Sequence, residues 1–378
     1  MHTLLLTREL GARHYRTVLV AGVCEAADGD ASFGLRPGDA VEWAPALSRA
    51  VRPWSNLRAL WQLWRLMRRE RPVIVHTHTA MAGCLGRLAA VLSGTPIIIH
   101  TFHGNSLSQY FSRFSAGAFR WIEQVLARST DVLCVVSAQQ AEELSGKFHV
   151  APRGKFRVVP LGLELDDYFA LPPCTAAPLT VGWFGRMVPV KDVPLLAETI
   201  ACALRHGSDI RFIIAGDGPE RGAIETLARQ YPERVEWLGW QQEILPAMAR
   251  CHVVLQTSRN EGTPVALIQG MAAARPFVST AVGGVVDMVA GGVEHLSAGA
   301  DWYANGVLAD AHPQALAWAL KTLARDQALA ARMGADGRAF ASRHYRKEAL
   351  VENVDALYRE LLRKKNLIQP QMHADAHR

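Results

Sequence analysis

The chain has 378 residues, 49% of them hydrophobic and 20% charged, with a formal net charge of +6. That length suits two domains of ordinary size, each with its own core. The basic residues are spread among 35 acidic ones, which favours anionic small molecules or phosphate-bearing surfaces and argues against a DNA-binding protein.

Cys24, Cys84, Cys134, Cys174, Cys202 and Cys251 are scattered, with no Cys-x-x-Cys and no histidine at zinc spacing. Reduced thiols in a cytoplasmic protein are therefore expected. No signal peptide opens the chain, and no apolar run approaches the roughly 20 residues of a membrane span. A soluble protein, or one held only at a membrane surface, is the expectation.

In chain order, the first half alternates short apolar runs with amphipathic stretches. Strands are predicted at Thr17–Ala21, Val73–His76, Ile97–Thr101, Val132–Val136 and Arg157–Pro160. Helices are predicted at Leu57–Arg69, Gly83–Leu92, Phe119–Ala127 and Ala138–Leu144. Alternating β and α units point to a parallel, doubly wound α/β sheet. Residues 163–178 break the pattern, and Pro172, Pro173 and Pro178 mark a linker. A second series follows, with strands at Leu179–Trp183, Ile210–Ala215, Val235–Leu238, Val253–Leu255 and Phe277–Ser279. Its helices are predicted at Val193–Arg205, Glu220–Arg229 and Ala266–Ala274, with a last helix near Lys347–Lys365 and a tail without fixed structure at 366–378.

Two loops carry the chemistry. Val181-Gly-Trp-Phe-Gly-Arg-Met-Val-Pro-Val-Lys191 and Arg259-Asn-Glu-Gly-Thr-Pro-Val-Ala-Leu-Ile-Gln-Gly-Met271 each follow a strand-length apolar run and lead into a helical pattern. In open α/β sheets that is where the ligand crevice forms. The first loop offers Gly185, where backbone can approach closely, and two cations, Arg186 and Lys191. Arginine gives phosphate a two-pronged fork, and lysine a point charge. The second offers Glu261, then Gly262, Thr263 and Pro264 at a helix start whose free N–H groups favour an anion. Together they read as a diphosphate clamp beside a carboxylate for hydroxyl groups.

These motifs resemble those of the group 1 (family 4) retaining glycosyltransferases of the GT-B fold, and the chain is similar to bacterial surface-polysaccharide transferases. The likeness runs from about the first residue to the last helix. It implies two Rossmann-like, doubly wound domains facing a central crevice. Residues 1–162 would be the acceptor side and 179–345 the nucleotide-sugar side, with 346–365 crossing back to the first domain. In the family the Gly-Arg-x5-Lys loop holds the donor diphosphate, here through Arg186 and Lys191. The first Glu of a Glu-x7-Glu motif lies near the donor sugar, here Glu261, with Gly262 and Thr263 on the same ligand. The second, on the ribose, falls on Gln269, two helical turns later on the same face. An amide there loses a charge-assisted bond, about 1 kcal/mol of nucleotide binding.

The resemblance also implies that His103, followed by Gly104, contacts the donor sugar. A neutral imidazole can donate one hydrogen bond and accept another. Gly239 and Trp240 end a strand where relatives seat the base, although Trp240 reads equally as core packing. Relatives carry an opening strand and a Gly-Gly loop before a first helix like His2–Gly11. That strand is expected to be missing here, a start codon assigned too late being the favoured reason.

Other residues read more plainly. His76 and His78 could line the same crevice but are read first as structural, and Gly216-Asp-Gly-Pro219 is expected to form a tight turn opposite the clamp, with structural and nucleotide-adjacent roles equally open. Asp28-Gly-Asp30 matches the Asp-x-Asp of metal-dependent transferases but reads as a turn. In Arg52–Arg71, Leu57, Leu60, Trp61, Trp64 and Met67 share a helical face. That face is read first as packing on the sheet and second as lying on an anionic membrane.

The expected activity is transfer of a sugar from a UDP- or GDP-linked donor to a growing surface polysaccharide or glycolipid, with no metal and no cofactor. The expected partners are the nucleotide sugar, a saccharide or lipid-linked saccharide acceptor and the inner face of the cytoplasmic membrane, but no nucleic acid. A nucleotide-sugar epimerase of the same fold and a catalytically impaired sugar-nucleotide-binding protein are the alternatives.

Overall fold

A computed structural model of the chain describes residues 2–22, 35, 41–48, 52–104, 113–174, 178–205, 209–297 and 299–367; Cys24, Asp28-Gly-Asp30, part of the proline-rich linker and most of the tail lie outside them. Contacts divide the chain into two units. The first comprises Met1–Val136, Ala141–Gly162 and Lys347–Arg378, the second Ser137–Gln140 and Leu163–Arg346.

The first unit runs α1 (His2–Gly11), β1 (Leu19–Ala21), β2 (Val41–Trp43), α2 (Pro53–Glu70), β3 (Ile74–His78), α3 (Ala80–Ser93), β4 (Ile97–Phe102), α4 (Arg113–Ser129), β5 (Val132–Val135), α5 (Ala138–Glu142, whose first three residues group with the second unit) and β6 (Phe156–Val158). Strands β3 to β6 form a parallel sheet in sequence order, and β1 pairs with β2 in a separate parallel pair. Helix α3 lies close to the sheet because two of its residues lack side chains. A Cβ at Gly83 would come within 2.3 Å of the His100 ring, and one at Gly86 within 2.8 Å of the Thr77 methyl group. On its flank, Arg87 donates from Nη2 to both carboxylate oxygens of Glu123 on α4 at 2.7 Å, with neither side chain exposed to solvent.

The second unit runs α6 (Asp166–Phe169), β7 (Leu179–Phe184), α7 (Val193–Leu204), β8 (Ile210–Ala215), α8 (Gly222–Gln230), β9 (Val235–Gly239), α9 (Leu245–Ala249), β10 (Val253–Gln256), α10 (Val265–Ala272), β11 (Phe277–Thr280), β12 (Glu294–Ser297), β13 (Ala300–Tyr303), β14 (Gly306–Ala309), α11 (Pro313–Arg325) and α12 (Gln327–His344). Its eight strands are ordered β12-β13-β14-β11-β10-β7-β8-β9. From β14 to β9 the pairing is parallel, while β12 and β13 add an antiparallel edge. Successive strands β7, β8 and β9 step one way, and β10 and β11 step the other, so the order reverses between β7 and β10. Val181, Trp183, Phe212, Ile214 and Leu255 form the sheet side of a core that α7 and α11 close with Leu196, Ile200, Leu316 and Leu320.

The last helix, α13 (Lys347–Lys364), returns to the first unit. With α1 it covers one face of that sheet, as Leu5, Leu6, Leu10, Leu350, Val354, Leu357 and Leu361 pack on Ile97 and Ile99. The other face carries α3 and α4, since His100 meets Gly83 and Phe102 packs with Phe119. Every predicted strand is present within a residue or two. Strands β2 and β12 to β14 and helices α6, α9, α11 and α12 were not predicted. The five described cysteines form no disulfide.

The Arg87–Glu123 pair gives a test of the packing. Glu123→Ala strands a buried guanidinium and should cost about 3–5 kcal/mol of stability. Arg87→Met combined with Glu123→Leu should recover most of that loss, as measured by urea unfolding.

Candidate active site

The two loops singled out in the sequence leave β7 and β10, the neighbouring strands on either side of the reversal. In open α/β sheets the ligand crevice lies outside the carboxyl ends of such a pair. The loops are tied to each other. Lys191 Nζ donates to Glu261 Oε1 at 2.6 Å, with both side chains largely buried. Gln256 Nε2 donates to the same oxygen at 2.8 Å, and Ser258 Oγ at 2.5 Å. Thr257 Oγ1 donates to the Lys191 carbonyl, the Arg259 amide donates to the Val190 carbonyl, and the Arg259 guanidinium grips the Asp192 carboxylate. Arg186 sits five residues before Lys191 with an exposed side chain.

Glu261 is not a helix cap. Helix α10 starts at Val265 behind Pro264, which has no side-chain cap, and the carboxylate is committed to Lys191, Gln256 and Ser258. This corrects the expectation that Glu261 and Gln269 share a helix face. Glu261 lies in the loop and Gln269, half-buried, in the helix. Pro264 lacks the amide that a continuing helix would need, so the first turn begins only after it. Thr263 is buried and Gly262 half-buried at the same turn.

Glycines let other backbone come up against these loops. A Cβ at Gly216 would sit 1.8 Å from the Gly185 carbonyl oxygen, and one at Gly218 2.4 Å from that of Met187. Both residues have φ of +153°, so the Gly216-Asp-Gly-Pro219 turn braces the cation loop in a conformation that favours glycine. Gly283 and Gly284 do the same for the acid loop. Their added Cβ atoms would lie 2.0 Å from the Glu261 carbonyl oxygen and 1.7 Å from that of Gly262. The Gly284 amide donates to the Glu261 carbonyl at 3.0 Å. Gly239 ends β9 with φ of +66°, and Trp240 beyond it is 65% exposed, which excludes core packing.

In the first unit, His103 belongs to a cluster of rings. His78 Nδ1 and His103 Nε2 share a hydrogen bond at 2.9 Å, and the two rings stack with centroids 5.1 Å apart. His2 meets His103 edge-on at 4.8 Å. His76 is held by the Tyr358 hydroxyl at 2.7 Å and the Thr101 hydroxyl at 2.6 Å, and His100 by Thr77 Oγ1 at 2.9 Å. Burial above all lowers every one of these imidazoles, His103 to about 4 and His2 and His76 to about 3, with His78 and His100 well below their usual range. They are neutral at pH 7. His2, His78 and His103 offer ring nitrogens within 4.8 Å of one another. An ion among them would require His78 and His103 to give up the bond they share.

His76 is tied to Tyr358 and Thr101, which fits the structural role expected of it, while His78 is the immediate hydrogen-bond partner of His103. Gln256 and Ser258 were also missed. The available signal was a glutamine ending an otherwise apolar strand, because a buried amide needs partners. The Gly283-Gly284 pair two residues after β11 was a second such signal.

Residues 178–326 match the family described as "Glycosyl transferases group 1", and residues 1–162 match the "Glycosyl transferase 4-like domain". Over 259 residues the chain is 25% identical to the UDP-Gal:alpha-D-GlcNAc-diphosphoundecaprenol alpha-1,3-galactosyltransferase of Escherichia coli, covering 64% of this chain and 66% of that protein. It is also 25% identical to the alpha-D-kanosaminyltransferase of Streptomyces kanamyceticus, over 82% of this chain and 84% of the relative. Among solved structures, the sucrose-phosphate synthase of Thermosynechococcus elongatus superposes with a TM-score of 0.75 at 21% identity, over 95% and 92% of the two chains. Anabaena Alr3699/HepE in complex with UDP gives 0.67 at 19% identity, over 85% and 86%. The fold class is GT-B, and the chain belongs to the group 1 / family 4 glycosyltransferases.

Proposed function

We propose that this chain moves a sugar from a nucleotide-linked donor, UDP- or GDP-linked, to a growing surface polysaccharide or glycolipid, with retention at the anomeric carbon. The observation that carries the reading is the position of the two loops at the strand-order reversal, joined by the Lys191–Glu261 contact. The similarity to a galactosyltransferase whose name specifies UDP-Gal and a diphosphoundecaprenol-linked sugar supports a UDP donor and a lipid-linked acceptor.

In the proposed step, the bond between the anomeric carbon and the donor diphosphate breaks. Arg186, Lys191 and the free amides at the start of α10 stabilise the departing charge. The acceptor hydroxyl forms the new bond on the same face, and its proton passes to the leaving phosphate oxygen. Two side-chain cations supply the positive charge, so the reading is metal-independent. Each described donor to Glu261 meets Oε1, which leaves Oε2 for a sugar hydroxyl. His103, neutral and oriented by His78, serves as a hydrogen-bonding partner for the sugar. Gly239 and Trp240 border the base. A cytoplasmic protein attached peripherally to the membrane fits a lipid-linked acceptor, and no helix among the described residues is long and apolar enough to cross one.

Purified protein should release nucleoside diphosphate from one of a panel of UDP-, GDP- and ADP-sugars, faster when membrane lipid extract is added. Arg186→Ala and Lys191→Ala should each lower that rate by roughly ten- to a hundredfold, matching about 1.5–3 kcal/mol for a charged hydrogen bond. Release that needs no acceptor, or yields an isomerised sugar, would replace the transferase reading. Gln269→Glu should tighten nucleotide binding about fivefold in calorimetry, roughly 1 kcal/mol.

The neutral imidazoles set a pH dependence. Unfolded histidines take up protons near 6.5, but His103 only near 4 and His2 and His76 near 3 in the folded chain. Below about pH 6.5 the unfolded state therefore binds more protons, and stability falls as pH drops toward 4. Urea midpoints followed from pH 7.5 to 4.5 should decline, and less steeply in His76→Gln.

A further inference from the structure

Helix α2 does not bury the face that its aromatic residues suggest. Ala59 and Leu63 point into a cluster with Leu85 and Ala89 of α3, with Leu60 and Met67 beside them. On the opposite arc, Trp54 is 81% exposed, Leu57 57% and Trp61 53%, and Trp64 is also exposed. Arg58, Arg65 and Arg68 share that arc, and the Arg65 guanidinium lies 5.3 Å over the Trp61 ring. Among the described residues none of these three arginines is in an ion pair, and the arc carries no acidic side chain. Glu70, the one acid of α2, is mostly buried and is bound by Arg16 and Arg69.

The apolar surface continues across the same helical layer. Helix α3 packs between α2 and α4 and presents Leu88, Val91 and Leu92 outward. Helix α4 adds exposed Trp121 and Val125, with Arg120 and Arg128 nearby in sequence and also exposed. Large patches of this kind, rimmed by polar residues, mark interaction sites. Its chemistry selects one occupant. Tryptophan favours the boundary between headgroups and acyl chains, arginine favours lipid phosphate, and a ridge without carboxylates meets no repulsion from an anionic leaflet.

We propose that the α2 ridge, continued by α3 and α4, docks on an anionic phospholipid surface. Trp54, Leu57, Trp61 and Trp64 enter the boundary region, and Arg58, Arg65 and Arg68 contact the phosphates. This names the surface behind the membrane attachment included in the proposed function, and it stands apart from the transfer chemistry.

The test is flotation of the full chain with vesicles of phosphatidylcholine alone and of phosphatidylcholine mixed with phosphatidylglycerol. Binding should require phosphatidylglycerol, weaken with added salt, and shift tryptophan emission to the blue. Trp54→Ser with Trp61→Ser should lower the partition coefficient at least about tenfold. Arg58→Glu with Arg65→Glu should abolish the preference for anionic vesicles. All four positions are solvent-exposed, so melting temperatures should stay near that of the parent.

Absence of vesicle binding at low salt would overturn the proposal, as would equal binding by the parent and both variants. A concentration-dependent dimer that the tryptophan variant loses, without vesicle binding, would assign the ridge to a second copy instead. Calorimetry with UDP and with GDP on the same preparations separates the two readings, the transferase reading failing only if neither binds. Failed nucleotide binding would sink the transferase reading and leave the membrane contact standing.

Discussion

One carboxylate oxygen holds the second unit's loops in place. Glu261 Oε1 accepts from Lys191, Gln256 and Ser258, so a cation from the loop after β7 is fixed by groups from the end of β10 and the loop after it. The pairing is largely buried, which strengthens each bond relative to the same bond in water. It also leaves the lysine ordered before any anion arrives, and a preorganised charge is worth more to a developing negative charge than one that must first be gathered. Glycines at 216, 218, 283 and 284 allow the surrounding backbone to close on both loops. A side chain at any of them would displace a carbonyl that these loops depend on.

Much of this was legible in the sequence, for identifiable reasons. Strands such as Ile97–Phe102 and Ile210–Ala215 are buried apolar runs between helical stretches, and such runs announce parallel sheets. The two loops were visible because strand, glycine, cation and helix follow in order. The antiparallel edge of β12 and β13 was not, because four-residue strands carry too little periodicity. The grip on Glu261 was invisible for a different reason. Lys191 and Glu261 lie 70 residues apart, and only the pairing of β7 with β10 brings them together.

Helix α2 shows how a pattern can mislead while the element is right. The wheel gathers Leu57, Leu60, Trp61, Trp64 and Met67 onto one broad apolar side. The structure splits it, turning Leu60 and Met67 inward with Ala59 and Leu63 and leaving the tryptophans out. Packing against α3 runs through Ala59, Leu63, Leu85 and Ala89, and the small Ala59 and Ala89 allow a close approach that tryptophan would not. Bulk at a helix surface therefore argues for contact with something, but not for contact with its own core.

The first unit is assembled from both ends of the chain. Ile97 and Ile99 are covered by Leu350, Val354, Leu357 and Leu361 of α13, which is made after the whole second unit. Everything the second unit needs, through Arg346, is synthesised before that helix. During translation the unit made first must keep part of one side of its sheet bare, beside α1, while the unit made second can finish folding. The part of the N-terminal sheet that α13 will cover thus spends synthesis as an exposed apolar surface.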